Sequence, residues 1–314
     1  MLLASTVGAD TTRSRALAAQ SPTVRRRRLG QELRQLREDA GLTCEEVGER
    51  LEWSGAKVSR IETARVGVRP RDVSDLLDLY NVTDKQHRTN LLTLTREARQ
   101  RGWWYSYGWA LPQEFNTWLS LEAEATSLRI YDMQVANGLL QTEEYARAVL
   151  RSVWVAETAE QIERRVALRM KRQQVLAREE APLHLWVVID EAVLHRRVGG
   201  PGVMRGQLRR LVEESEKPHI TLQVLPFSAG AHVSVDGPFT ITELAAPDPE
   251  VVSIEYRLGG LYLEQDDEVR QYARIFDRLR ATAMSPDESV ALIAKLARDS
   301  RNGENSGRGE DVRS

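Results

Sequence analysis

The sequence predicts two domains of different class, an all-α domain first and then an α+β domain with a small mixed sheet. Three observations carry that expectation. Between residues 29 and 80 apolar residues recur at helical spacing and are interrupted by Gly, Pro and capping residues. From residue 183 the pattern changes to apolar runs of strand length, LHLWVVID and HITLQVLPF. A chain of 314 residues is long enough for two sizeable cores.

The first domain can be built piece by piece. Leu29, Leu33 and Leu36 form one apolar stripe, and Gly41 ends that helix as a C-cap. Thr43 opens the next helix and stands three residues before Glu46, the spacing of a capping box. Val47 and Leu51 continue the apolar face, and Glu52 and Trp53 make the turn. Ser54 caps a third helix whose inward residues are Val58 and Ile61. Gly67 and Pro70 break the chain before a fourth helix with Val73, Leu76, Leu77 and Tyr80. Asp84 to Gln100 reads as a fifth, with Leu91, Leu92, Leu94 and Ala98. Helices this short are marginal alone, so they must share one core. The second and third form a helix-turn-helix. The expected class is therefore a multi-domain chain, with an all-α helix-turn-helix N-terminal domain followed by an α+β C-terminal domain.

A helix-turn-helix lays its second helix in the major groove of double-stranded DNA, N-terminal half towards the bases. The outward residues of that helix are Ser54, Gly55, Ala56, Lys57, Ser59 and Arg60. Lys57 can donate to guanine acceptors or to a phosphate, Ser59 can bond to either, and Ala56 can touch a thymine methyl. Gly55 and Ala56 allow close approach. Arg60 reads either as a DNA contact or as the partner of a neighbouring carboxylate, Glu62 or Glu52. Thr43 is expected on phosphate.

Charge agrees with this placement. Residues 25–71 hold 12 Lys plus Arg against 8 Asp plus Glu, a net +4 in a chain whose total is −2. The basic charge is concentrated in the segment that would face a polyanion. Arg25, Arg26, Arg27 and Arg28 form a run just before the first expected helix. It reads as an arm on the DNA backbone or as a solvated helix start.

The segments LRQLREDAGLT, VGERL, SGAKVSRIE and LLDLY together resemble the Cro/lambda-repressor (xenobiotic-response-element) family of helix-turn-helix domains. The resemblance covers roughly fifty residues and implies sequence-specific DNA binding. That family often has Gln just after the Thr that starts the second helix, touching phosphate or base. Here the place is taken by Cys44. A thiol is a weak donor, so the Gln interaction is absent or passes to a backbone amide.

Composition bounds the rest. With 41% hydrophobic and 29% charged residues the chain reads as an ordinary soluble protein. Its one Cys excludes an internal disulfide framework and a Cys-based zinc site, and suits a reducing, cytoplasmic compartment. No apolar run approaches the length of a membrane span, and residues 1–24 lack the basic start of a signal peptide. They are expected to be a disordered leader, and residues 299–314 a disordered tail. Residues 101–118 hold four of the seven Trp and read as an aromatic connector.

The second domain is expected over residues 119–298. Leu121 to Tyr131 reads as a helix, Asn137 and Gly138 as a turn, and Thr142 as the cap of a helix with Tyr145, Ala146, Val149 and Leu150. Glu157 to Arg178 reads as a long helix with Ile162, Val166, Met170 and Gln173 inward and its Arg and Lys outside. Residues 183–190 and 219–227 are expected strands in a parallel crossover, and 239–244, 251–256 and 261–265 antiparallel neighbours. Two helices close the domain, Asp266 to Thr282 and Ser285 to Ala297. GLLQTEEYARAVL, RVALRMKRQQVL, HLWVVIDEAVLHRRVGG, ITLQVLPFSAGAHVSVDGPFTI and VVSIEY resemble the uncharacterised C-terminal domain that follows a Cro-type helix-turn-helix in many actinomycete regulators. Those regulators are described as antitoxin-like. Where a Pro usually precedes GLLQT, this chain has Ala136–Asn137. The resemblance implies a transcriptional regulator with a small neighbour-encoded protein as partner.

Catalysis finds little support. His87, His184, His195, His219 and His232 show no metal-ligand spacing. Asp190 and Glu191 could pass for paired carboxylates but stand where acids cap a helix. GGPG at 199–202 lacks the ending of a phosphate loop. The expectation is a protein that is not an enzyme and has no cofactor and no metal. Two readings remain: a DNA-binding regulator acting as a homodimer on a palindromic operator, and a ligand-gated sensor holding a small molecule beneath the loop 228–237.

Overall fold

The structure is a computed structural model and describes residues 22–99, 115–179, 181–245, 250–256 and 259–306. The described residues fall into two compact units. One holds the N-terminal helices with Leu119–Glu124, and the other holds Ala125 onward with the residues just before Leu119. Residues 101–114, most of the expected aromatic connector, lie outside the described residues.

The first unit is built from α1 (Pro22–Asp39), α2 (Cys44–Arg50), α3 (Gly55–Glu62), α4 (Pro70–Leu79) and α5 (Lys85–Glu97). Leu29, Leu33, Val47, Val58, Ile61, Val73, Leu76, Leu77 and Leu91 meet in one buried cluster, the shared core that short helices require. The helix starts follow their capping residues. Thr43 and Glu46 make the reciprocal capping box, the Ser54 hydroxyl accepts from the Lys57 amide, and Asp84 accepts from the amides of Gln86 and His87. The first helix begins earlier than expected. Pro22 opens it, a residue pre-organised for a first turn, and the Arg run continues it because Arg is a strong helix former. Residues 22–24 therefore belong to a helix rather than to a leader.

The second unit is a six-stranded mixed sheet in the order β3-β2-β1-β4-β5-β6. Its strands are β1 (Ser127–Asp132), β2 (His184–Asp190), β3 (Ile220–Leu225), β4 (Phe239–Glu243), β5 (Val251–Tyr256) and β6 (Gly259–Leu263). β1, β2 and β3 run parallel, and β4, β5 and β6 are antiparallel to their neighbours. The helices in this part of the chain are α6 (Phe115–Glu124), of which only the residues before Leu119 belong to this unit, α7 (Glu143–Val153), α8 (Ala159–Arg172), α9 (Glu191–His195), α10 (Pro201–Ser215), α11 (Asp266–Thr282) and α12 (Pro286–Ser306). Both sheet faces are buried. Leu128, Ile130, Val187 and Leu222 pack with Leu208 and Leu211 of α10 and Ile293 of α12. Tyr131, Val188 and Ile241 pack on the opposite side with Phe276 and Leu279 of α11.

Three sequence expectations are corrected here. Leu121 to Tyr131 is not one helix: α6 ends at Glu124 and SLRIYD becomes β1, which joins the parallel and antiparallel halves of the sheet. The Thr126 amide donates to the Glu243 carbonyl at 2.9 Å, so the chain enters the sheet there. The helix expected over 157–178 is α8 followed by a 3-10 turn at Gln173–Ala177. The final helix runs to Ser306, so residues 299–306 are not a loose tail.

Candidate nucleic-acid interface

Two glycines fix the crossing of α2 and α3. A Cβ on Gly48 would stand 2.8 Å from the Gly55 amide nitrogen and 2.9 Å from the Trp53 carbonyl. A Cβ on Gly55 would come within 3.2 Å of the Glu45 Cα. The turn between them closes with the Trp53 amide donating to Gly48 at 2.7 Å, and Glu52 adopts φ 56, a left-handed conformation uncommon for a residue with a side chain. Gly55 therefore makes room for α2.

α3 separates its residues cleanly. Val58, Ile61 and Glu62 are buried. Ser54, Ala56, Ser59 and Arg60 are exposed or half-buried on the other side, and Lys57 is half-buried. The Lys57 ammonium lies 3.3 Å from the centre of the Trp53 ring and 3.9 Å from Asp72. It is thus held close to the helix by a cation–π contact and a weak ion pair.

Glu62 does not serve Arg60. Its carboxylate takes a forked pair from Arg37 of α1, at 2.8 and 3.1 Å, and Arg37 also donates to the Leu42 carbonyl at 2.6 Å. The Glu62 hydrogen bond is the main cause that raises the Arg37 pKa. Cys44 lies half-buried beside this pair, its Sγ 3.9 Å from Glu62 Oε2. Burial pushes its thiol up, so it stays protonated at neutral pH. Thr43 is at the surface of this end of α2, with its hydroxyl and amide both donating to Glu46 at 3.0 and 2.8 Å.

The Arg run lies inside α1 and is not an arm ahead of it. Helical periodicity sends its four side chains in different directions. Arg25 is buried and sits 3.4 Å from Glu97 of α5. Arg26 donates to the Ala98 carbonyl at 3.4 Å. Arg27 and Arg28 are half-buried. Arg25 is thus a structural residue in this unit. Three further cations follow α3, namely Arg65, Arg69 and Arg71, all exposed. The sequence reading did not single them out, although ARVGVRPR stands as a basic segment directly after α3.

In the second unit, the Asp190 carboxylate accepts from the Ala192 amide at 2.8 Å as the cap of α9. Glu191 accepts from the Phe227 amide at 2.7 Å. The loop 228–237 is tied down through His232, whose Nε2 lies 3.2 Å from the Tyr131 hydroxyl. Among the described residues no group of three or more His, Cys, Asp or Glu could hold a metal ion, and no helix is long and apolar enough to cross a membrane.

Residues 28–90 match the family described as a helix-turn-helix domain. Residues 115–295 match a domain of unknown function, DUF5753. No curated protein and no solved structure matches the chain.

Proposed function

The chain belongs to the DUF5753 family, with a helix-turn-helix domain ahead of that region, and from this premise we propose that it is a sequence-specific DNA-binding transcriptional regulator of the Cro/lambda-repressor type. The observation that carries the reading is the outer face of α3, where Ser54, Ala56, Ser59 and Arg60 stand over a buried Val58 and Ile61. In a major groove, Ser59 and Arg60 reach base edges or phosphate and Ala56 meets a thymine methyl. Lys57 leaves Trp53 for the polyanion or bridges the two. Thr43, Arg27, Arg28, Arg69 and Arg71 touch the backbone and set register. Cys44 adds no strong interaction.

A homodimer on a palindromic operator follows the usual economy of this motif, with half-sites spaced about 34 Å apart. The C-terminal domain then serves dimerisation or an antitoxin-like pairing with a small neighbour-encoded protein. Selection of bound genomic fragments tests all of this at once. It should return a two-fold symmetric site with half-sites near one helical turn apart. Recovery of random fragments would overturn sequence-specific reading, and a single asymmetric site would overturn the dimer.

A further inference from the structure

Lys57 is the cation in the first turn of α3, the end that a helix-turn-helix directs at the bases. Its ammonium is seated between two elements. Trp53, in the turn before α3, holds it over the ring at 3.3 Å from the centre, and Asp72, in the first turn of α4, stands 3.9 Å away. The platform is fixed. The Trp53 amide donates to the Gly48 carbonyl at 2.7 Å, and the side chain packs on the core of the unit.

The seat leaves the ammonium donors to spare. It has three N–H groups. One faces the ring, and 3.9 Å to a carboxylate oxygen is an ion pair too long for a hydrogen bond. The Lys57 side chain is still 35% exposed. Its rotamers are restricted before any ligand arrives, so less freedom is lost when it binds. The carboxylate adds a bias. A lysine that swings onto a phosphate abandons its counter-charge, and here that would set Asp72 unpaired beside a polyanion. A base edge makes no such demand, since guanine N7 and O6 accept hydrogen bonds without carrying a net charge.

Resting on the DNA-binding reading of α3, we infer that Lys57 stays on Trp53 in the complex and donates to a guanine rather than to a phosphate. Trp53 and Asp72 are the positioning residues: the ring holds the ammonium in place, and the carboxylate keeps it off the backbone.

Binding isotherms on the full chain test this at several salt concentrations. The probes are the tightest-binding duplex recovered from a randomised pool, its single base-pair replacements and an unrelated duplex. Lys57→Met should abolish a preference of about tenfold at one G·C pair. It should change the slope of log K against log salt by far less than the 0.9 or so that accompanies loss of a phosphate contact. Trp53→Leu should reduce the same preference, Trp53→Phe should keep most of it, and Trp53→Leu should do nothing further to it once Lys57 is Met. Asp72→Asn should weaken the preference and steepen the slope by about 0.9, as the ammonium becomes free to neutralise a phosphate. A merely structural role for Trp53 or Asp72 would instead weaken selected and unrelated duplexes alike.

Loss of about 0.9 in slope in Lys57→Met with every base preference intact overturns the inference, as does no effect of that substitution on either readout. Additive effects of Trp53→Leu and Lys57→Met on the G·C preference overturn it too. Should Trp53→Leu fail to fold, Asp72→Asn decides, and an unchanged slope and preference there overturn the inference. A parent that selects no duplex brings down the base-reading of α3 and this inference together. A parent that selects one while the substitutions fail these tests brings down the inference alone.

Discussion

At the scale of single residues, two buried groups decide more than any exposed one. Arg37 and Glu62 are 11% and 5% exposed in their side chains and bind each other through two hydrogen bonds. Removing one partner strands the other charge out of water, at a cost of about 3–5 kcal/mol. Glu62→Leu should therefore speed hydrogen exchange throughout α1, α2 and α3, and the double variant Arg37→Met, Glu62→Leu should recover most of the protection. If the single variant exchanges as slowly as the parent, the pair contributes nothing. The second is Asp132, a half-buried residue at the end of β1. Burial pushes its carboxyl up to about 7, against a hydrogen bond from Asn137 and with a further push from Glu255, and its Oδ2 is buried without a hydrogen-bond partner. Because the folded pKa is the higher one, the neutral acid is favoured by folding. Its stabilising effect is complete below about pH 4 and is lost as pH rises towards 7. Asp132→Asn should match the parent near pH 4 and exceed it at pH 8 by a few kcal/mol, on the order of 1.4 kcal/mol for each pH step of that window. Denaturant melts at the two pH values give the comparison, and a parallel offset at both would refute the titration.

Elements are held at their angles by the places where no side chain fits. A Cβ on Gly30 of α1 would overlap the carbonyl of Glu62 at the end of α3. Gly30→Ala must push these helices apart, which should cost about 1–3 kcal/mol in opening free energy by hydrogen exchange and weaken any DNA complex. Gly41 offers the contrast. Nothing lies within 4 Å of a Cβ there, but its φ is +67, so Gly41→Ala should cost only the conformational penalty of about 1–2 kcal/mol and leave the α1–α3 packing unchanged. Equal effects of the two on DNA binding would deny the packing role of Gly30. The elements themselves are readable in the sequence wherever a cap and an apolar period coincide, as at Thr43, Ser54 and Thr142, each of which caps the helix expected of it. β1 is not readable, because Leu121 and Leu128 stand two helical turns apart and mimic one continuous stripe. The strand is settled by pairing with β2 and β4, both distant along the chain, as in Ser127 opposite His184 and Glu243. Long-range partners also hide the Arg37–Glu62 pair, separated by 25 positions, and the burial of Arg172 on α8, which is only 5% exposed. In isolation a charged stripe on a helix looks like a solvated face.

Across the whole molecule, charge is distributed so that one segment differs in sign from the rest. The +4 of residues 25–71 sits in a chain of −2, and Arg65, Arg69 and Arg71 carry it onto the exposed side after α3. Exposed cations of this kind bind phosphate and displace counterions, whereas the proposed reading sets the polar face of α3 against base edges, and the two classes have separable signatures. Arg69→Ala combined with Arg71→Ala should weaken operator and random duplex by the same factor and reduce the slope of log K against log salt by about 0.9 for each phosphate no longer neutralised. Ser59→Ala should leave that slope in place and instead narrow the ratio between operator and random duplex, by about 1–3 kcal/mol if its hydroxyl reads a base. Binding isotherms at several salt concentrations on both duplexes distinguish the outcomes. A change in the operator-to-random ratio on removing the two arginines would move them from positioning to reading. An unaltered ratio on removing the Ser59 hydroxyl would take base recognition away from that face of α3, leaving a module that holds DNA through its backbone alone.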